Sequence, residues 1–468
     1  MAELAAGAGA GLADGADAGG TESDFSPRKI RIATMILLGQ TFATSILPLM
    51  ALSYAMVPMT REFGWSRTEF QLANSALLLF GAMTLWPLGR LTDTVGARPI
   101  IILGTLGVGL ATVLLQFVKS APLGPLPRAW EFYALFALLG VFGSSGASWT
   151  KVTTALFTQN RGKAMAILGV EGTVARMILP WSMTTLILVY GWRGMFTTFG
   201  AVCLVCVPLI FLFLEEPGTR GLKPTLFPRK ARAGDPARPA AVQFEGMSFP
   251  QVLRDWVFWM MLVGGLVSMV VGNGMMANIP ASMIDRGFTL QNVGTADSIA
   301  TFAGIPGVLI AGVLMDKLPT AKIAAPFHLV TALASYLMMV VTPRHGGEPM
   351  LIAARCLFMF SFTVSLPLTA YFMTRFFGLK AYAQLYGFMS MVQAACMSLA
   401  PPAFGYIYDR THTYTLGFEL MIATALFSAG VFTVLPRYRF SANIGAMPAP
   451  PKGPGGGGAA GTVPLAAG

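Results

Sequence analysis

The sequence predicts an all-α membrane protein, with twelve transmembrane helices in two pseudo-symmetric six-helix bundles. Three observations predict it. The 468 residues are 54% hydrophobic and only 11% charged, against about 25% charged in a soluble globular protein. Apolar runs near the twenty residues that a spanning helix needs recur along the whole chain. A polar turn is repeated 223 residues apart, as Gly89 with Gly312 and Asp93 with Asp316.

The apolar runs lie near 32–57, 70–89, 99–118, 130–157, 163–189 and 193–214, and again near 256–279, 292–314, 323–342, 350–374, 382–407 and 415–436. A polar loop, "EEPGTRGLKPTLFPRKARAGDPARP", separates the two sets of six. The expected organisation is a tail at 1–28, a bundle at 29–214, a cytoplasmic linker at 215–255, a second bundle at 256–440 and a tail at 441–468. The first tail is Ala/Gly-rich, without the basic start and apolar core of a signal peptide, and the last is Pro/Gly-rich; both compositions predict disorder.

The net charge of +11 does not predict nucleic-acid binding, because the basic residues gather on one side. Most of the 32 Lys and Arg fall beside spans and in loops that share a side with both termini. The positive-inside rule then puts both termini in the cytoplasm of a bacterial-type inner membrane. The four cysteines, Cys203, Cys206, Cys356 and Cys396, lie within apolar spans. "CLVC" has redox spacing but no His or acidic neighbour, so it is read as helix filler. No metal or cofactor motif is present, and the absence of a GxxxxGK[ST] run argues against a self-contained ATPase.

The turn between the second and third spans reads "GRLTDTVGARP", with Gly89, Arg90, Asp93, Gly96 and Arg98; its echo in the second half reads "GVLMDKLPTAK", with Gly312 and Asp316. This turn resembles the loop motif of the major facilitator superfamily, departing from it at Thr94 and Pro99, where further basic residues are usual. Parallel duplication of six-helix halves, with the substrate site between them near mid-membrane, is a known transporter design. In the family, the residue matching Asp93 meets the amino end of the eleventh helix, which implies a gating role for the motif. "EFGWSRTEF", "LFTQNRGKAMAI", "YGWRGMF" and "RFFGLKAYAQLYG" are similar to bacterial members of the monocarboxylate-transporter and oxalate/formate-antiporter branch. The resemblance covers roughly residues 30–440 and implies an alternating-access carrier of small organic anions.

Charges inside spans mark the candidate site, since they are costly there and usually face a cavity or a partner. In "GVEGTVARMILPW", Glu171 and Arg176 interrupt the fifth span where the branch pattern has small residues. Five residues at about 100° each place them roughly 140° apart, so they do not pair along the helix. Lys151, at similar depth on the preceding span, is the expected partner of Glu171. That leaves Arg176 near mid-depth with a guanidinium fork suited to a carboxylate. The expected substrate-binding residues are Arg176, Lys151, Gln40, Asn273 and Gln393; the expected proton-coupling residues are Glu171 and Asp297. Asn74 and Asn278 are further polar candidates, for cavity or for helix bridging. Arg355 is expected to snorkel outward and His328 to be interfacial. Carboxylate carriers of this branch often have an arginine where Val308 stands, so any anion anchor must lie elsewhere.

Other functions fare worse. "GSSG" around Ser145 matches an intramembrane protease pattern, but His328 is the one histidine in a span and lies in the other half. An exporter of the same fold is the main alternative, although the fifth span lacks the Gly-Pro pair usual there. The expected partners are a small organic anion, protons and the lipid bilayer.

Overall fold

The computed structural model describes residues 27–42, 46–120, 127–146, 148–149, 152, 161–214, 246–378 and 380–440. Lys151 and residues 215–245 of the expected linker fall outside these ranges, as do the side chains of Asp93 and of 161–175, Glu171 among them. The described residues are overwhelmingly helical, with β-pairing limited to isolated bridges. Seven of the described segments are by themselves long and apolar enough to cross a membrane.

Helices are described for each of the twelve expected spans. Span 1 comprises Pro27–Phe42 and Ile46–Phe63; span 2 is Arg67–Val95, span 3 Ala97–Leu114 and span 4 begins at Trp130–Gly143. Spans 5 and 6 form one run, Arg161–Phe213, broken at Gly191, whose φ of 71° L side chains rarely adopt. Span 7 is Trp256–Asp285, span 8 Leu290–Lys317 and span 9 Ala324–Val340. Span 10 is Gly347–Phe362 with Ser365–Phe377, span 11 Tyr382–Thr411 and span 12 Thr415–Val434. The described part of the linker holds a short helix, Phe249–Leu253, entered by a Ser248–Gln251 capping box.

Local chemistry sets several ends. Ser66 and Glu69 form a capping box at the start of span 2, and Asp255 caps span 7 by accepting from the Val257 amide. The two repeated turns use different devices. Gly96, at φ 107°, lets span 2 pass into span 3. In the second half, Thr320 caps a short 3-10 turn at Ala321–Ile323 before span 9.

The halves pack alike. Span 2 lies on span 4 as span 8 lies on span 10, and spans 3 and 9 run beside spans 4 and 10 in turn. Close approach occurs at matching positions. A Cβ on Gly81 would press on the Gly140 carbonyl, and one on Gly304 would press on Thr363. Gly81 and Gly304 are 223 residues apart, and so are Gly140 and Thr363. The duplication visible at the turns therefore extends into the packing. Between halves, span 2 packs on span 11, the helix containing span 5 packs on span 8, and span 1 touches span 7.

Candidate transport site

A cavity of about 140 Å³ lies between the halves. Span 1 contributes Ser53 and Tyr54, span 2 Asn74, and span 5 Arg176 and Pro180. From the other half come Asn273 of span 7, Asp297 and Thr301 of span 8, and Arg355 of span 10, with methionines and Phe362 completing the wall. Three expected site residues, Arg176, Asn273 and Asp297, thus come together from three spans.

Arg355 corrects its expected outward placement. It is 2% exposed, and its Nε donates to Asp297 Oδ1 in a buried ion pair. The Tyr54 hydroxyl donates to Asp297 Oδ2 at 2.6 Å. One carboxylate therefore ties span 1 of the first half to spans 8 and 10 of the second. Charge-assisted bonds of this kind are strong because little water competes for the groups. Two donors or acceptors facing this region lack partners: Arg355 Nη1 and Asn74 Oδ1 are buried without a hydrogen bond.

Arg176 differs from Arg355. Its backbone carbonyl accepts from the Thr301 hydroxyl at 3.2 Å, but among the described residues its guanidinium meets no carboxylate. The charged side chains described on the wall are two arginines and one aspartate, an excess of one positive charge.

The cavity is closed at the end away from the termini. Arg67, 8% exposed at the start of span 2, pairs with Asp285 at 3.1 Å at the end of span 7 and stacks on the Tyr408 ring at 4.8 Å. Asp409, at the end of span 11, accepts from the amides of Arg67 and Thr68. Nearer the cavity, Gln71 donates to Asn278 Oδ1 at 3.2 Å. Asn278 itself bridges helices, donating to the carbonyls of Gly274 and Pro401. The hydrogen bonds described between halves lie from mid-depth to this end.

Other candidates lie elsewhere. Gln393 lines a separate cavity of about 50 Å³ inside the second bundle, where it donates to Met269 Sδ. His328 faces that same cavity, stacked on Phe432, with Ser268 at 3.5 Å, instead of sitting at an interface. Gln40 is half-buried on span 1 away from the central cavity wall. Arg98 is buried and donates to the Phe211 carbonyl, bracing span 3 on span 6, while Arg90 and Asp316 are exposed. Gly89 and Gly312 have open space around them. Sequence reasoning missed Tyr54, Arg67, Asp285 and Asp409. A tyrosine deep in an apolar span was the one available signal, because a buried phenol seeks a partner.

Residues 33–401 match the family model described as Major Facilitator Superfamily. The chain belongs to that superfamily. It is 24% identical over 380 residues to monocarboxylate transporter 11 of Homo sapiens, covering 78% of this chain and 74% of that one. It is 23% identical over 407 residues to a probable sulfoacetate transporter of Cupriavidus necator, covering 82% and 88%. A crystal structure of a bacterial homologue of the human lysosomal transporter Spinster has the same fold, at TM-score 0.64 and 14% identity, covering 87% of this chain and 95% of that one. This major facilitator protein is a multi-pass membrane transporter of the monocarboxylate-transporter-like branch, not an enzyme.

Proposed function

We propose that this transporter moves a small organic anion by alternating access, with the Arg176 guanidinium as anchor, and couples the movement to protons through Asp297. The observation that carries the reading is Arg176 on the wall between the halves, with no carboxylate partner among the described residues. An incoming carboxylate or sulfonate would fill that gap by a bidentate contact and cancel the excess positive charge. Relatives named for monocarboxylates and for sulfoacetate support an anionic cargo. Asn273, Ser53 and Asn74, which line the same cavity, would bond its other atoms.

Asp297 suits the proton role because it accepts from both Tyr54 and Arg355. A proton on this carboxyl would cancel the ion pair and release Arg355 toward the cargo. Glu171, on the helix that carries Arg176, serves as a second proton acceptor in this reading, with Lys151 as its partner and as an auxiliary contact for the anion. Gln40 and Gln393 act beside the path and not at the anchor. The turn motifs, Gly89 to Arg98 and Gly312 with Asp316, govern closure at the terminus end, which is cytoplasmic by the distribution of basic residues. The arrangement with Arg67 and Asp409 engaged is then the state closed to the outside.

The test is binding by purified protein. Arg176→Ala should abolish stabilisation by small carboxylates or sulfonates while keeping the melting temperature, and Arg176→Lys should retain part of it. Undiminished ligand stabilisation in Arg176→Ala would rule the anchor out.

A further inference from the structure

At the terminus end of the second bundle, an open recess of about 870 Å³ lies between the start of span 9, the end of span 10 and the segment after span 12. Its wall carries Lys322, Arg375, Arg437 and Arg439, and no carboxylate is among the residues described on it. Asp255 reaches Arg439 from beside the recess, leaving three cations there with no counter-ion among the described residues.

The recess is built, not a chance grouping of flanking charges. The amides of Arg439 and Phe440 both donate to the Arg375 carbonyl, at 3.2 and 3.0 Å, pinning the segment after span 12 onto span 10. Arg375 is 8% exposed, its guanidinium 4.8 Å from the Tyr438 ring centre. Its Nε and Nη1, and the Tyr438 hydroxyl, are buried without a hydrogen-bond partner. Buried donors left unmatched are costly, and an anion with several oxygens is the ligand that matches them.

We propose that this recess binds a phosphoryl anion, supplied by the headgroup of an anionic phospholipid in the adjoining leaflet. Basic pockets beside spans are the kind of site that takes such headgroups. The lipid source is favoured over a soluble one by what borders the recess. Val434, on its wall, is 67% exposed, and Leu318, next to its Pro319, is 43% exposed. Both sit where acyl chains would run.

The experiment uses the full chain, delipidated in detergent. Melting temperature and lipid retention in native mass spectrometry are read with phosphatidylglycerol, phosphatidylcholine and glycerol 3-phosphate. Phosphatidylglycerol should stabilise the protein and remain bound, and the other two should not at matched concentration. Lys322→Gln with Arg437→Gln changes two exposed side chains, so folding should survive while the apparent affinity for phosphatidylglycerol falls roughly tenfold. Arg375→Gln should lose retention altogether, provided it folds, and the double variant decides the matter if it does not. Equal stabilisation by phosphatidylcholine, or an undiminished response in the double variant, would overturn the site. Equal stabilisation by glycerol 3-phosphate would overturn the lipid as its source.

Discussion

Asp409 caps the helix that starts at Arg67: its two carboxylate oxygens accept from the Arg67 and Thr68 amides, both at 2.9 Å, across 342 and 341 residues of sequence. Span 11 of one half thus supplies an anion to the amino end of span 2 of the other, where the helix dipole favours negative charge. The Thr68 hydroxyl donates to the same carboxylate at 2.5 Å. Arg67 adds its own ion pair to Asp285 and its stacking on Tyr408. Two spans of the second half, 7 and 11, therefore converge on one helix terminus of the first, and separating the halves here would break all these contacts together.

Asp409→Asn should loosen this closure without unfolding either bundle. The amide keeps one accepting oxygen but loses the charge, and charge–dipole contacts at helix ends are worth about 0.3–2 kcal/mol. The ratio of the two states should shift by up to roughly thirtyfold at the upper end. A cysteine placed at Ser53 on the cavity wall, with the four native cysteines replaced, should then be labelled faster from the side opposite the termini. Unaltered labelling would show that Asp409 does not hold the closed state.

The fold was legible because bilayer physics constrains it so heavily: span length, loop charge and the 223-residue repeat are all linear properties of the chain. The site was legible only in depth. Arg176 could be placed near the middle of its span and Asp297 a few residues into its own, but Arg355 was expected to point outward, because the partner that turns it inward lies 58 residues away on another helix. Apolarity on every side of a spanning helix removes the amphipathic stripe that would otherwise reveal its inward face. The closure at Arg67 and Asp409 was hidden for the opposite reason: charges at span ends are the rule, so nothing in their composition separates a contact between halves from ordinary flanking residues.

Close packing of span 8 on span 10 gives a second prediction. A Cβ at Gly307 would overlap the Phe360 carbonyl, whereas Gly430 on span 12 has open space around it. Gly307→Ala should lower the melting temperature, with overpacking costing about 1–3 kcal/mol. Gly430→Ala should leave it unchanged or raise it, since alanine is the better helix former. Equal behaviour of the two variants would show that this contact is looser than described.

Acid should weaken the terminus end of the second bundle through Asp255. Burial pushes this carboxyl up, but the Arg439 guanidinium and the Val257 amide outweigh it and hold it below the ordinary carboxylate range. With a folded value below the unfolded one, the contribution is complete above the unfolded value, about 4. It is lost as pH falls from there through the folded value. Asp255→Asn should accordingly lower stability at neutral pH and flatten its decline below about pH 4. Melting temperatures from pH 3 to 7 for both proteins supply the comparison, and parallel curves would sink the assignment.

The pair of Arg355 and Asp297 separates structure from coupling. Removing the arginine strands a buried carboxylate with Tyr54 alone, and breaking a buried pair from one side costs about 3–5 kcal/mol. Arg355→Ala should therefore be unstable in detergent. Asp297→Asn leaves the buried Arg355 without its counter-ion, but its amide oxygen can still accept from Arg355 and Tyr54, so a loss smaller than that of Arg355→Ala is expected. Replacing both residues by apolar ones of similar volume, Arg355→Met with Asp297→Leu, should recover much of the stability, because no uncompensated charge remains. Transport divides along a different line. If Asp297 carries the proton, Asp297→Asn should exchange substrate across the membrane yet fail to accumulate it against an imposed pH gradient. The double variant should fail likewise despite its recovered stability. Accumulation by Asp297→Asn that follows the pH gradient as in the unaltered protein would reduce the pair to a structural tie between span 8 and span 10.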